Sequence, residues 1–163
     1  MSAVETVQDI YAAFGRGDVP AILTRLADDV QWEYATAANP IPWLQPLTGR
    51  DQVPRFFEAL ASHVEITRFE VAKIFGDAST VVDLVHLEYT ARATGRKVQE
   101  TDEVHIWHFN AAGQVQRFRH RADTLLPQLV ERRRAENRRE LRFWCAGCSS
   151  GEEPYTLMML MRE

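Results

Sequence analysis

Apolar residues near the start of the chain fall at helical spacing. Val4, Val7, Ile10, Tyr11 and Phe14 share one face, which predicts an amphipathic helix from about Ala3 to Phe14. GRGD ends it, because Gly15 or Gly17 can adopt the left-handed backbone of a C-cap. Asp18 is placed to cap a second helix with Val19, Ile22, Leu23 and Leu26 on its inner face. VQWEYA, from Val30 to Ala35, alternates and is rich in aromatics, so it reads as a strand. TAANPIPWLQPLTG is dense in proline and reads as a loop. A third helix follows, with Pro54 in its first turn and Val53, Phe56, Phe57, Leu60 and Val64 on one stripe.

The period then changes to two. Ile66 to Phe75, Thr80 to Arg92, Lys97 to Phe109 and Gln114 to Arg121 read as four long strands, broken by GDAS, ATGR and NAAG. Short turns make successive strands antiparallel. Segregated helices and a strand meander predict an α+β domain over 1–124, with three helices packed on a curved antiparallel sheet. The pattern shifts after Thr124. LLPQLVERRRAENRREL reads as a helix or linker, LRFWC as a short strand and EEPYTLMMLMRE as a helix. Residues 125–163 are therefore expected to form a helix–strand–helix stub.

Bulk properties narrow the classes. A net charge of −4 over 163 residues does not suit a nucleic-acid binder. No apolar run nears the ~20 residues that span a bilayer, and MSAVETVQDIY lacks the basic and apolar regions of a secretory signal. Cys145 and Cys148 are the only cysteines and sit in one loop, which suits a reducing cytoplasm rather than a disulfide framework. Zinc is a weak reading for that pair, since no second pair or nearby histidine completes four ligands. No metal ligand is assigned.

VQDIYAAFGRGDVPAILTRLADDVQWEYA and VHIWHFNAAGQVQRFRHRADT resemble the SnoaL-like and ketosteroid-isomerase-like branch of the nuclear transport factor 2-like superfamily. The resemblance covers about Met1 to Thr124. It implies a cone with an apolar pocket between helices and sheet, homodimerisation, and a small hydrophobic molecule as ligand. It also implies lyase, isomerase or cyclase chemistry on a carbonyl compound, or binding alone. Aligned by eye, the steroid-isomerase base falls on Tyr34, the oxyanion tyrosine on Ile10 beside Tyr11, and the oxyanion acid on His105. None of those three groups is kept at those positions. His105 with Glu103 and Tyr34 are the candidate catalytic residues, because a histidine beside a carboxylate can be oriented as base or donor. Alternation puts Thr101, Glu103, His105 and Trp107 on one face, and Phe118 and His120 inward with Arg119 and Arg121 outward. Trp32, Trp43, Trp107, Phe118 and His120 are the candidate ligand contacts. Asp83, His86 and Glu88 share a strand whose register is not fixed by the pattern. His63 and His108 read as structural or surface residues.

AGCSSGEEPY is similar to the first cofactor motif of CheR-type methyltransferases, which act on receptor glutamates with S-adenosylmethionine. The matching residues include Ala146, Gly147, Cys148, Gly151, Glu152, Glu153 and Tyr155. The glycines permit close backbone approach, and the following helix offers free N–H groups. The resemblance covers about Leu125 to Glu163. Without the later strands of a doubly wound domain, the motif is expected to be vestigial, with no cofactor and no methyl transfer. The alternative function is a non-catalytic sensory or dimerisation module ahead of such a methyltransferase.

Overall fold

The computed structural model describes residues 1–34 and 41–121. The expected stub over 125–163 and its cofactor motif lie outside the described residues. Helix α1 spans Ala3–Gly15. Its start is fixed by a capping box: Glu5 N donates to Ser2 Oγ at 3.1 Å, and Ser2 N to Glu5 Oε2 at 2.6 Å. Gly17, at φ 69°, provides the left-handed turn that ends it. Asp18 caps α2 (Val19–Leu23) by accepting from Ala21 N at 3.1 Å. Leu26 does not continue that helix as expected. It opens strand β1 (Leu26–Trp32), where the exposed pair Asp28 and Asp29 hides the alternation. Within the expected proline-rich loop, Leu47–Thr48 pairs with Gln31 and Trp32 as a short strand β2. Helix α3 covers Pro54–His63, and Val64, expected on its stripe, instead begins β3.

Strands β3 (Val64–Gly76), β4 (Thr80–Ala91), β5 (Lys97–Phe109) and β6 (Val115–Arg121) follow the expected meander. The sheet order is β2-β1-β6-β5-β4-β3. The sheet is mixed, not antiparallel: β6 inserts beside β1 and runs parallel to it. Turn length dictates direction only for strands adjacent in sequence, and β1 and β6 are joined by the whole chain between them.

Extra residues bend the long strands. On β3, Thr67 and Ala72 interrupt the register with β4, and on β5 two residues, Thr101 and Asp102, oppose the single His86. Such bulges increase local bend and twist, which is how a flat meander becomes a cone. The inward face carries Val81, Trp107, Phe118 and Trp32 in one row across β4, β5, β6 and β1. Val7, Ile10 and Ala13 of α1, Ile22 of α2 and Phe56 of α3 pack into the same core. Burying each large apolar side chain contributes about 1.5–3 kcal/mol. Among the described residues no helix is long and apolar enough to cross a membrane.

Candidate functional site

One step along the strands from that aromatic row lies a second, polar row. Asp83 of β4 sits opposite His105 of β5, and His105 opposite His120 of β6. Asp83 and His105 are buried in the inward face. Tyr11 of α1 reaches down onto them. Its hydroxyl lies 2.6 Å from Asp83 Oδ2 and 2.6 Å from His105 Nδ1. The other oxygen of Asp83 accepts from Trp107 Nε1 at 2.8 Å. Glu103, two residues before His105 on the same strand face, places Oε1 3.6 Å from His105 Nε2. Glu33, just past β1, bonds His120 through its carboxylate at both Nδ1 and the backbone N–H. The imidazole of His120 stacks on Phe56 with ring centroids 5.5 Å apart.

Burial dominates the electrostatics. It pushes the Asp83 carboxyl up to about 6, against the opposing bonds from Tyr11 and Trp107. Burial, then the Asp83 charge, raises the Tyr11 hydroxyl well above its ordinary range. Burial, then the positive charge of His120, pushes His105 down to about 4, so it is neutral at pH 7. For His120, burial opposes protonation, but the Glu33 carboxylate outweighs it and the net shift is upward. For Glu103, burial works upward, but His105 and the charge of His120 hold the carboxyl below its usual range. The row thus places a neutral imidazole between Asp83 and a second imidazole whose protonation the Glu33 carboxylate favours.

A cleft of about 520 Å³ opens beside this row. Tyr11, Ala12, Phe14 and Gly15 of α1 form one wall, and Ile66, Phe69 and Val71 of β3 the other. Tyr11 supplies the one hydroxyl among these linings, so it joins an apolar cleft to a buried polar network.

Of the residues expected at the site, Glu103, His105, Trp107, Phe118 and His120 do converge, and Trp32 packs beneath them. Thr101 does not share their face. The left-handed backbone of Asp102, at φ 61°, shifts the alternation there, and Thr101 is exposed. Tyr34 is not on the face of Trp32. Glu33, at φ 53°, breaks the alternation, so Trp32 and Glu33 are both buried while Tyr34 turns to the other side. There it meets His108 Nε2 at 3.3 Å, with Arg117 and Arg119 over its ring. Trp43 faces His63 at the end of α3, with ring centroids 5.9 Å apart.

Three members of the network escaped the sequence reading: Tyr11, Asp83 and Glu33. The resemblance puts the oxyanion tyrosine on Ile10 and the base on Tyr34. In the structure Ile10 is core, and the groups that reach the site are one position away in each case. Asp83 alternates inward with Val81 and Val85, but only the pairing of β4 with β5 sets it opposite His105.

Residues 7–118 match the SnoaL-like domain family, and residues 113–163 match the S-adenosylmethionine-binding domain of CheR methyltransferases. A chemotaxis protein methyltransferase of Borreliella burgdorferi is 31% identical over 80 residues, 48% of this chain and 28% of that protein. One from Listeria monocytogenes is 51% identical over 45 residues, 28% of this chain and 17% of that protein. The chain therefore spans less than a third of the length of these relatives. Among solved structures, an NTF2-like protein of Burkholderia pseudomallei is 29% identical with a TM-score of 0.67, covering 82% of this chain and 97% of that one. A protein of Pseudomonas putida named as a polyketide cyclase is 24% identical with a TM-score of 0.57, covering 80% and 97%. TerC, crystallised with polyporic acid, is 21% identical with a TM-score of 0.66, covering 79% and 98%.

Proposed function

The chain belongs to the SnoaL-like domain family, and from that premise we propose that its cone binds a small hydrophobic carbonyl compound and moves a proton on it, as an isomerase, lyase or cyclase does. One observation carries this reading. Tyr11 lines the cleft, and its hydroxyl is bonded at 2.6 Å to both Asp83 and His105. In the neutral imidazole, Nδ1–H donates to Tyr11 Oη, and Tyr11 O–H donates to Asp83 Oδ2. A ligand O–H can then give its proton to Oη as Tyr11 passes its own to Asp83. Run backwards, the same relay protonates a carbonyl oxygen. Tyr11 alone is far too weak an acid and base for this at neutral pH, so Asp83 is the group that holds the proton. The other residues lining the cleft are apolar and suit a hydrophobic ligand. The same proposal takes the domain as a homodimer.

The test is a panel of cyclic ketones, a steroid enone and a hydroxyquinone, followed by tryptophan fluorescence for binding and NMR for deuterium exchange beside the carbonyl. Tyr11→Phe is expected to weaken binding about tenfold, the worth of one good hydrogen bond, and to abolish exchange. Exchange by the variant at the rate of the parent chain overturns the relay.

The CheR match supports a second reading, a non-catalytic binding module coupled to a protein-glutamate methyltransferase. Under it, a panel member binds and Tyr11→Phe weakens it, yet no deuterium is exchanged by either chain.

A further inference from the structure

We propose that Glu103, His105 and His120 form a binding site for a divalent transition-metal ion of the zinc type. The inference goes beyond the proton relay and does not depend on it. It starts from the sheet. His105 and His120 are directly opposite on β5 and β6, and Glu103 lies on the face of His105, beyond the bulge at Asp102. One ligand atom from each of the three lies within 4.8 Å of the others. The pair His105 Nε2 and Glu103 Oε1, at 3.6 Å, is already close to the spacing of two ligands on a tetrahedral ion, about 3.4 Å for bonds of about 2.1 Å. His120, the most accessible of the three, supplies the third ligand atom from the neighbouring strand.

Two of these side chains carry unpartnered polar atoms. His105 Nε2 and Glu103 Oε2 are buried without a hydrogen-bond partner, on side chains only 3% and 5% exposed. A buried polar atom left unpaired is unfavourable, and here the two come from residues whose side chains face each other. A proton can sit between only one pair of atoms at a time. A cation accepts lone pairs from all three residues at once.

The surroundings of the histidines support the same assignment. Metal-bound imidazoles use one ring nitrogen for the ion and donate from the other to a carboxylate or a comparable group, which fixes the ring and raises its basicity. His120 Nδ1 is held by the Glu33 carboxylate. His105 Nδ1 is held by the Tyr11 hydroxyl, itself bonded to Asp83. Nε2 is therefore the free atom on each ring. Asp83 is not a ligand, because its oxygens serve Tyr11 and Trp107. Two imidazoles and one carboxylate on rigid strands leave a fourth position for water or a ligand atom, the donor set and open geometry of a reactive zinc or cobalt site rather than a closed structural one.

The experiment uses the full chain carrying Cys145→Ser and Cys148→Ser, so that thiolates do not compete. After chelator treatment the protein is titrated with Co(II) and with Zn(II), without any organic ligand. One ion per chain is expected, with the visible absorption of cobalt held by nitrogen and oxygen ligands and a rise in Tm. Glu103→Gln and His105→Ala are expected to weaken zinc binding at least tenfold, and Glu33→Gln, one shell out, by about 10–100-fold. His63→Ala, outside the cluster, leaves binding unchanged. The parent titration decides the case even where a variant fails to fold: absence of stoichiometric binding overturns the site. So does retention of parental affinity by folded Glu103→Gln and His105→Ala proteins. A relay that works in metal-free protein leaves this result unaffected, so the two proposals fail separately.

Discussion

Asp83 is a carboxylate with no solvent exposure, and its neighbours explain how the fold tolerates it. An ionised carboxylate in apolar surroundings is costly unless its oxygens are bonded. Each Asp83 oxygen has one strong donor, Trp107 Nε1 on one side and the Tyr11 hydroxyl on the other. Trp107 therefore has two tasks: it fills the centre of the aromatic row and it solvates a charge. Trp107→Phe keeps a ring but removes the donor and part of the volume. The expected loss is about 2–4 kcal/mol, from an orphaned charged acceptor plus a small cavity, read as a drop in the urea midpoint. A variant within experimental error of the parent shows that Asp83 is not held by this bond. The same residue shows why the network was only half legible. Alternation along β5 sufficed to bring Glu103, His105 and Trp107 together. Asp83 belongs with them through register between strands, and Tyr11 through the rotation of α1 over the sheet. Neither is encoded by the spacing of residues within one element. Glu33 was hidden by its own left-handed backbone, which defeats the period-two rule at the point where it was applied.

At the scale of elements, the strands of the meander were readable because their turns carry glycine, aspartate or asparagine and their bodies alternate. GDAS, for example, forms an Asp77 turn in which its carboxylate accepts from Ser79 N and Thr80 N at 2.7 and 2.9 Å. The bulges were not readable, since an extra residue has no compositional mark unless it is glycine. Yet the bulge at Thr101–Asp102 sets which side chains enter the site. Below it the face of β5 changes over, and above it Glu103 and His105 turn inward. Asp102 holds φ 61°, a region open to glycine, acceptable to aspartate and strained for branched side chains. Asp102→Val is expected to lower stability by about 1–2 kcal/mol, whereas Asp102→Gly stays within about 0.5 kcal/mol of the parent chain. Equilibrium urea unfolding of the three proteins checks this. Equal stability of the valine variant shows that the backbone at Asp102 relaxes to an ordinary strand.

At the scale of the molecule, the two family matches overlap over residues 113–118, and the sheet decides which of them owns that stretch structurally. Residues 115–121 form β6, and β6 lies between β1 and β5. It supplies Phe118 to the core and His120 to the polar row. Without it, β1 and β2 have no edge to join, and the inward faces of β1 and β5 lose the strand that connects them. The cone is therefore complete only once Arg121 is in place. We expect a chain ending at Thr124 to unfold in one cooperative thermal transition, with the far-ultraviolet spectrum of an α+β domain. A chain ending at Gly113, where the methyltransferase match begins, is expected to lack that transition. The argument is geometric: the first cut follows the last described strand, and the second removes a strand from the middle of the sheet. A molten or insoluble 1–124 chain shows that residues beyond Thr124 pack into the cone. A cooperative 1–113 chain shows that β6 is dispensable, and with it the parallel β1–β6 pairing on which the site depends.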